Sequence, residues 1–167
     1  MMKIELVKWN INNIKELQKI CNEVDRTFLS NRVPYPYSEN HALEWIDYVE
    51  KNEGVHGVFR AIVVDGEYAG NISVEKKDDV YCKNGEIGYM LLTSYWSKGI
   101  MSQAVKEICK IAFQELDIVR LTGLVYENNF ASRKVLEKND FCLEGIQRKA
   151  VYKKEQFYDL CIYGRLK

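Results

Sequence analysis

The fold class this sequence predicts is α+β: a single domain with a mixed, mostly antiparallel sheet of six to seven strands flanked by helices. Three observations predict it. Short segments that alternate apolar and polar residues recur along the chain, and longer segments with apolar residues at a spacing of 3.6 are interleaved with them. No internal repeat, linker or low-complexity segment interrupts the pattern. The length, 167 residues, suits one domain over residues 1–167 with a full core rather than two small ones.

Taken in order, Lys3 to Lys8 alternates and predicts a first strand. Ile14, Leu17, Ile20, Cys21, Val24 and Phe28 recur at helical spacing, a pattern that stops near Asn31. Val33-Pro34-Tyr35-Pro36-Tyr37 must be extended, because each proline restricts the residue before it. Ser38 is placed to cap a helix that uses Ala42, Trp45, Ile46 and Val49, with Gly54 ending it. Val58 to Val64 is rich in β-formers, Asp65-Gly66 is a two-residue hairpin signal, and Glu67 to Glu75 returns as the partner. The charged run from Lys76 to Asp79 reads as a solvated loop, and a turn at Asn84-Gly85 starts a strand over Glu86–Leu92. Met101, Ala104, Val105, Ile108, Ile111 and Ala112 then form one helical stripe. Arg120 to Tyr126 reads as a strand, Phe130 to Lys138 as a short helix, Phe141 to Lys149 as a strand, and Phe157 to Gly164 closes the sheet.

Composition narrows the function classes. Apolar residues make up 47% and charged residues 29%, and 24 Lys and Arg balance 24 Asp and Glu. Binding to nucleic acid as the main activity needs clustered excess base, so this balance argues against it. No apolar run approaches the roughly 20 residues a membrane helix needs, so no membrane partner is expected. The five cysteines are scattered, odd in number and without a C-x-x-C pair, and His41 and His56 lack ligand spacing. A reducing cytoplasm and no metal are the expectations. A homodimer is the prior for assembly.

The most informative stretch runs from Glu86 to Met101: an apolar strand, a short polar turn with one glycine, then the long amphipathic helix. That order directs the backbone N–H groups of residues 97–102 outward at a positive helix end, where an anion sits favourably, and Gly99 allows close approach of a ligand to the backbone. A nucleoside-triphosphate P-loop is excluded, since G-x-x-x-x-G-K-[ST] is absent and Lys98 precedes its glycine. The dinucleotide pattern G-x-G-x-x-G is also missing.

These residues resemble the GNAT superfamily of acetyl-CoA-dependent N-acetyltransferases, in particular its RimJ/RimL-like branch. Trp96-Ser97-Lys98-Gly99-Ile100-Met101 looks like the family's cofactor loop, and Glu86-Ile87-Gly88-Tyr89 like the branch's fourth strand. Asn129-Phe130-Ala131-Ser132, followed by Val135 to Lys138 and Phe141, looks like the second cofactor-binding motif, and Glu144-Gly145 and Tyr158-Asp159 fit the closing strands. Three positions depart from the family. Met101 stands where glycine or alanine is usual. Asp140 replaces a glycine before Phe141, where Asn139-Asp140 can still supply the left-handed turn. Leu136 occupies the position of a tyrosine that in many members protonates the leaving thiolate.

The resemblance implies direct transfer of acetyl from acetyl-CoA to a primary amine, either a protein N-terminus such as that of a ribosomal protein, or a small amine, polyamine or antibiotic. A CoA-binding regulatory module with little turnover is the alternative, raised by Met101 and the missing tyrosine. The implied cofactor contacts are Met90, Leu91 and Leu92, with Leu91 supplying a main-chain N–H to the thioester carbonyl, then Trp96, Ser97, Lys98, Gly99, Ile100, Met101 and Ser102, and Asn129 and Ser132 on the second motif. Asn129 either orients the pantetheine arm or caps its own helix. Ser132 either assists the leaving thiolate or is a plain surface serine. Trp96 anchors the loop, and Lys98 either meets a phosphate or is solvated. Glu86 is the candidate general base, directly or through water, against the reading of a solvated edge carboxylate. Tyr35, Tyr37, Trp45 and Tyr89 either line the acceptor cleft or pack as core and rim aromatics.

Overall fold

The structure, a computed structural model, describes residues 1–167. Eleven main elements follow in the order β1 (Ile4–Lys8), α1 (Ile14–Glu23), α2 (Glu39–Asn52), β2 (Gly57–Val64), β3 (Glu67–Lys76), β4 (Asn84–Leu91), α3 (Ile100–Glu115), β5 (Arg120–Tyr126), α4 (Phe130–Glu137), β6 (Cys142–Lys153) and β7 (Gln156–Leu166). The strands form one seven-stranded sheet in the order β1-β2-β3-β4-β5-β7-β6. Every neighbouring pair is antiparallel except β4 and β5, which run parallel because α3 carries the chain back across the sheet.

Helices cover both faces. Under α3 and α4 lies the larger core, with Ile62, Ile72, Ile87, Ala104, Ile108, Leu121 and Leu136. Under α1 and α2 lies a second, built on Trp9, Leu17, Ile20, Ile46, Phe59 and Val63. β2 is buried along its whole length because alternate residues serve the two cores, Val58 and Ile62 one and Phe59 and Ala61 the other.

Several local expectations hold for physical reasons visible here. The Ser38 hydroxyl accepts the His41 N–H at 3.2 Å while His41 Nδ1 accepts the Ser38 N–H at 3.1 Å, a reciprocal cap that starts α2. Asp65 and Gly66 both take positive φ, as the tight hairpin requires. Asp140 takes the left-handed turn with φ 62°. Three expectations need correction. The first helix ends at Glu23, not near Asn31, and Phe28 lies in the loop beyond it, packed edge-on to Tyr126 with ring centroids 5.6 Å apart. Asn84-Gly85 is not a turn but the start of β4, paired with Arg120 and Leu121. A Cβ on Gly85 would stand 2.7 Å from Val74 Cγ1, so the glycine serves close packing. The buried stripe of α3 is Ile100, Ala104, Val105, Ile108, Cys109, Ala112 and Phe113, with Met101 and Ile111 half-buried at its margin.

The feature that positions the site is the short reach of the parallel pairing. β4 and β5 are paired only from Asn84–Arg120 to Ile87–Gly123. Beyond that register they diverge, β4 staying with β3 as far as Leu91 and β5 with β7 as far as Tyr126. The diverging ends, Gly88–Leu91 and Leu124–Tyr126, frame a gap in the middle of the sheet.

Candidate active site

Leu91 sits opposite Gly70, and the next amide, Leu92 N–H, donates to the Ala69 carbonyl at 2.9 Å. Antiparallel ladders alternate, so this register turns the Leu91 N–H and C=O away from β3 and into the gap. The Leu91 carbonyl has a partner there, the Trp96 indole N–H at 2.9 Å. Trp96 thereby pins the turn before α3 to the end of β4, although half of its own surface is exposed.

From that anchor the chain makes a tight turn in which Ser97 has φ 59° and Gly99 φ 77°. A Cβ on Gly99 would meet nothing within 4 Å, so the position faces open space and glycine is there for its backbone conformation. Gln103 is the first helical amide with a partner, bonded to the Gly99 carbonyl at 3.2 Å. The amides of Ser97, Lys98, Gly99, Ile100, Met101 and Ser102 are spent on no turn, loop or side-chain acceptor. Six consecutive donors without acceptors at a helix N-terminus are suited to receive an anion. Lys98 does not point its ammonium at them: Nζ donates to the Ser94 carbonyl at 2.8 Å and lies over the Tyr95 ring. Ser102 is held from behind by Asn139, whose buried side-chain amide donates to the Ser102 carbonyl at 3.1 Å and to the Val135 carbonyl at 2.9 Å, locking the first turn of α3 to the last of α4. Asn139 escaped the sequence reading as a staple because nothing local to it predicts a partner 37 residues away.

Across the gap, Asn129 Oδ1 accepts the Ser132 N–H at 3.2 Å, so its oxygen caps α4. Ser132 is no plain surface residue: its Oγ lies 2.7 Å from the Tyr89 hydroxyl, which reaches it from β4. Burial pushes the Tyr89 phenol up to about 12, a shift the Ser132 bond opposes, so the hydroxyl stays protonated at neutral pH. Leu136 is fully buried in the larger core and offers no acid.

On the opposite face of β4, Glu86 and Met90 point toward α1 and α2, and Gly88 between them leaves that face open. Glu86 pairs with Lys77 at 3.2 Å and lies opposite Glu75, which accepts from the Tyr48 hydroxyl at 2.9 Å. Five residues separate Glu86 from Leu91, about 17 Å along a strand, so the carboxylate does not directly contact a group held at Leu91. Of the aromatics expected at an acceptor cleft, Tyr37 and Trp45 belong to the second core and Tyr89 faces α4. Tyr35 is exposed, with the Arg26 guanidinium over its ring at 5.2 Å. A different aromatic wall stands at the gap: Phe28 against Tyr126, and Tyr126 against Tyr158 at 5.5 Å. Phe28 was hidden by its fit to the helical spacing of α1.

The structure thus places a free-amide turn and a Tyr89–Ser132 hydroxyl pair on either side of a strand gap. The chain matches the acetyltransferase (GNAT) domain family over residues 3–142. It belongs to the GNAT acetyltransferase family. Among curated proteins it is 31% identical to YdaF of Bacillus subtilis (strain 168) over 121 residues, covering 72% of this chain and 66% of that protein. It is 27% identical to the ribosomal-protein-serine acetyltransferase of Escherichia coli (strain K12) over 160 residues, covering 93% and 88%. The chain thus spans just under two thirds of YdaF and most of the Escherichia coli enzyme. Among solved structures, RimL, a ribosomal alpha-N-protein acetyltransferase in complex with coenzyme A, superposes with a TM-score of 0.85 at 23% identity over 98% of this chain and 93% of that one. That likeness carries the GNAT fold.

The residues present fit the family's acetyl-CoA. The six uncommitted amides suit a diphosphate, and the gap exposes β4 backbone groups to an amide-bearing arm. No group of three or more His, Cys, Asp or Glu side chains is arranged to hold a metal ion, and no helix is long and apolar enough to cross a membrane.

Proposed function

We propose that this GNAT protein transfers the acetyl group of acetyl-CoA to the α-amine of a peptide. The observation that carries the reading is the run of uncommitted amides from Ser97 to Ser102, pinned by Trp96 to the strand end where β4 leaves β5. Those amides hold the diphosphate, with Gly99 supplying the left-handed turn that presents them. Acetyl-CoA supplies an acyl group already activated as a thioester. The Leu91 N–H, turned into the gap, donates to the carbonyl oxygen and stabilises the negative charge that grows there. Met90 and Leu92 flank it. Ser132, across the gap, donates its hydroxyl proton toward the departing sulfur, with the Tyr89 hydroxyl behind it. Asn129 holds the first turn of α4 in place.

An α-amine suits this machinery better than an alkyl amine. Freeing an α-amine of pKa near 8 at pH 7 costs about 1 kcal/mol, whereas an alkyl amine near 10.4 costs about 4–5 kcal/mol. Glu86, tied to Lys77 and distant from Leu91, is equipped for the smaller task, taking the proton through water. The Escherichia coli relative named for a ribosomal protein's serine, aligned over 93% of this chain, supports a protein N-terminus as acceptor.

The test is thiol release from acetyl-CoA with peptides, polyamines and aminoglycosides as acceptors, with products identified by mass spectrometry. Acetylation confined to peptide α-amines is the expected result; acetylation of polyamines or aminoglycosides alone would overturn the acceptor. Tight CoA binding with no release on any amine would favour a CoA-binding regulatory module, the reading to which the fully buried Leu136 lends itself.

A further inference from the structure

A cavity of about 240 Å³ opens beside the aromatic wall, lined by Arg26, Leu29, Ser30 and Asn31 of the α1–α2 loop and by Lys153 and Lys154 at the tip of the β6–β7 hairpin. Two of its three cations, Arg26 and Lys153, are held by neutral oxygens. Lys153 Nζ reaches across the cavity to three backbone carbonyls, those of Arg26, of Thr27 at 3.1 Å and of Leu29 at 2.5 Å. Arg26 donates to the Cys21 carbonyl at 3.1 Å and to that of Val33. Neither takes part in any ion pair of the protein, and neither does Lys154. One carboxylate feels this group, Asp25, whose acidity is raised first by its bonds to Thr27 and further by Lys153 and Lys154. Glu155 sits in the hairpin turn next to Lys154. Three cations around a cavity, of which Arg26 and Lys153 are held by oxygens that do not neutralise them, create a local positive field in a chain with no net charge.

The cavity belongs to the acceptor side. Leu29 follows Phe28, which packs on Tyr126 at the open end of β5, and Tyr126 packs on Tyr158 of the hairpin. No residue of β4 or β5 lines it, so an anion held there is separated from the gap by the Phe28–Tyr126–Tyr158 wall. We infer that the acceptor is a peptide whose first residue enters the gap and whose following residues are acidic, crossing the aromatic wall to place carboxylates among Arg26, Lys153 and Lys154. This rests on the peptide α-amine reading and adds the substrate's charge pattern to it. The separation between gap and cavity favours a chain of several residues over a compact phosphate-bearing amine.

The test uses the full chain saturated with coenzyme A and three decapeptides that begin with serine and continue with residues that are mainly Glu and Asp, Gln and Asn, or Lys and Arg. Calorimetry should give the acidic peptide at least tenfold tighter binding than the neutral one, with the basic peptide weakest, and the preference should shrink as salt is raised. Lys154→Glu, an exposed turn substitution, should remove most of that preference; Lys154→Gln should remove part. Equal affinities for the three peptides, or a preference unchanged in Lys154→Glu, would overturn the inference. Thiol release separates the two readings: equal turnover of all three peptides sinks the charge pattern and spares acetyl transfer, whereas acid-selective binding without turnover does the reverse. Phosphoethanolamine acetylated as efficiently as the acidic peptide would overturn the assignment to a peptide.

Discussion

The Tyr89 hydroxyl lies 2.7 Å from Ser132 Oγ, joining the fourth strand to the first turn of the fourth helix across 43 residues of chain. Either hydroxyl can donate in this pair; with the phenol as donor, the serine's own proton is free for another acceptor. Ser132→Ala should lower kcat by about 10²-fold, and Tyr89→Phe by about tenfold, with CoA affinity unchanged. Because the two act as a unit, the double variant should be no slower than Ser132→Ala. Strictly multiplicative losses in steady-state rates would show that Tyr89 does not work through Ser132.

Gly99 separates backbone conformation from ligand approach. With φ 77° and open space where a Cβ would stand, Gly99→Ala should cost about 1–2 kcal/mol of stability and change CoA affinity little. Gly99→Glu places a negative charge among the free amides and should raise the dissociation constant of CoA more than tenfold while the circular dichroism spectrum stays native. Calorimetry that finds equal CoA affinity in Gly99→Glu and in the parent would move the diphosphate elsewhere.

Glu86 tests the proton path. If water carries the amine proton to this carboxylate, Glu86→Gln should depress kcat/KM several-fold at pH 7 and progressively less toward pH 9, where more of the α-amine is already neutral. Removing its partner with Lys77→Gln should leave the profile's shape intact, since the carboxylate remains. A loss of the same size at every pH in Glu86→Gln would assign proton removal to another group.

Stability should fail on the alkaline side. Burial raises Cys21 from 9.0 to about 12 and Cys109 from 9.0 to about 11, and it lifts Tyr37 and Tyr89 above their ordinary 10.0. Each neutral form is favoured by the fold, so its contribution is complete below the unfolded values of 9.0 and 10.0. It is lost as pH rises toward the folded values, because the unfolded chain sheds its protons first. Urea midpoints should be level from pH 7 to 8.5 and fall steadily from pH 9 to 11; a level curve through pH 10.5 would contradict this.

Much of the fold was legible before any coordinates. Alternation in Lys3–Lys8 and runs of β-forming or apolar residues elsewhere marked the seven strands, the Asp65-Gly66 turn fixed one hairpin, and Ser38 located the start of α2. Errors arose where a local pattern served a distant partner. Phe28 matched the spacing of α1 yet packs on Tyr126, and Gly85 looked like a turn glycine yet makes room for Val74. The turn from Trp96 to Gly99 was readable because its chemistry is local: one strand end, one glycine, one helix start. The Tyr89–Ser132 pair, the Asn139 staple and the three carbonyls around Lys153 were not readable, since each joins residues 37 or more positions apart.

The sequence by itself determined the α+β class, the place of the free-amide turn and the resemblance to the GNAT family, because periodicity, capping and turn chemistry act over a few residues. Only the tertiary structure decided that β4 and β5 part after Ile87 and Gly123, that Ser132 is partnered by Tyr89, and that Lys153 carries its charge to the α1–α2 loop without meeting a carboxylate. Those outcomes depend on strand register and long-range packing, where the free energy of one contact is settled by the whole sheet.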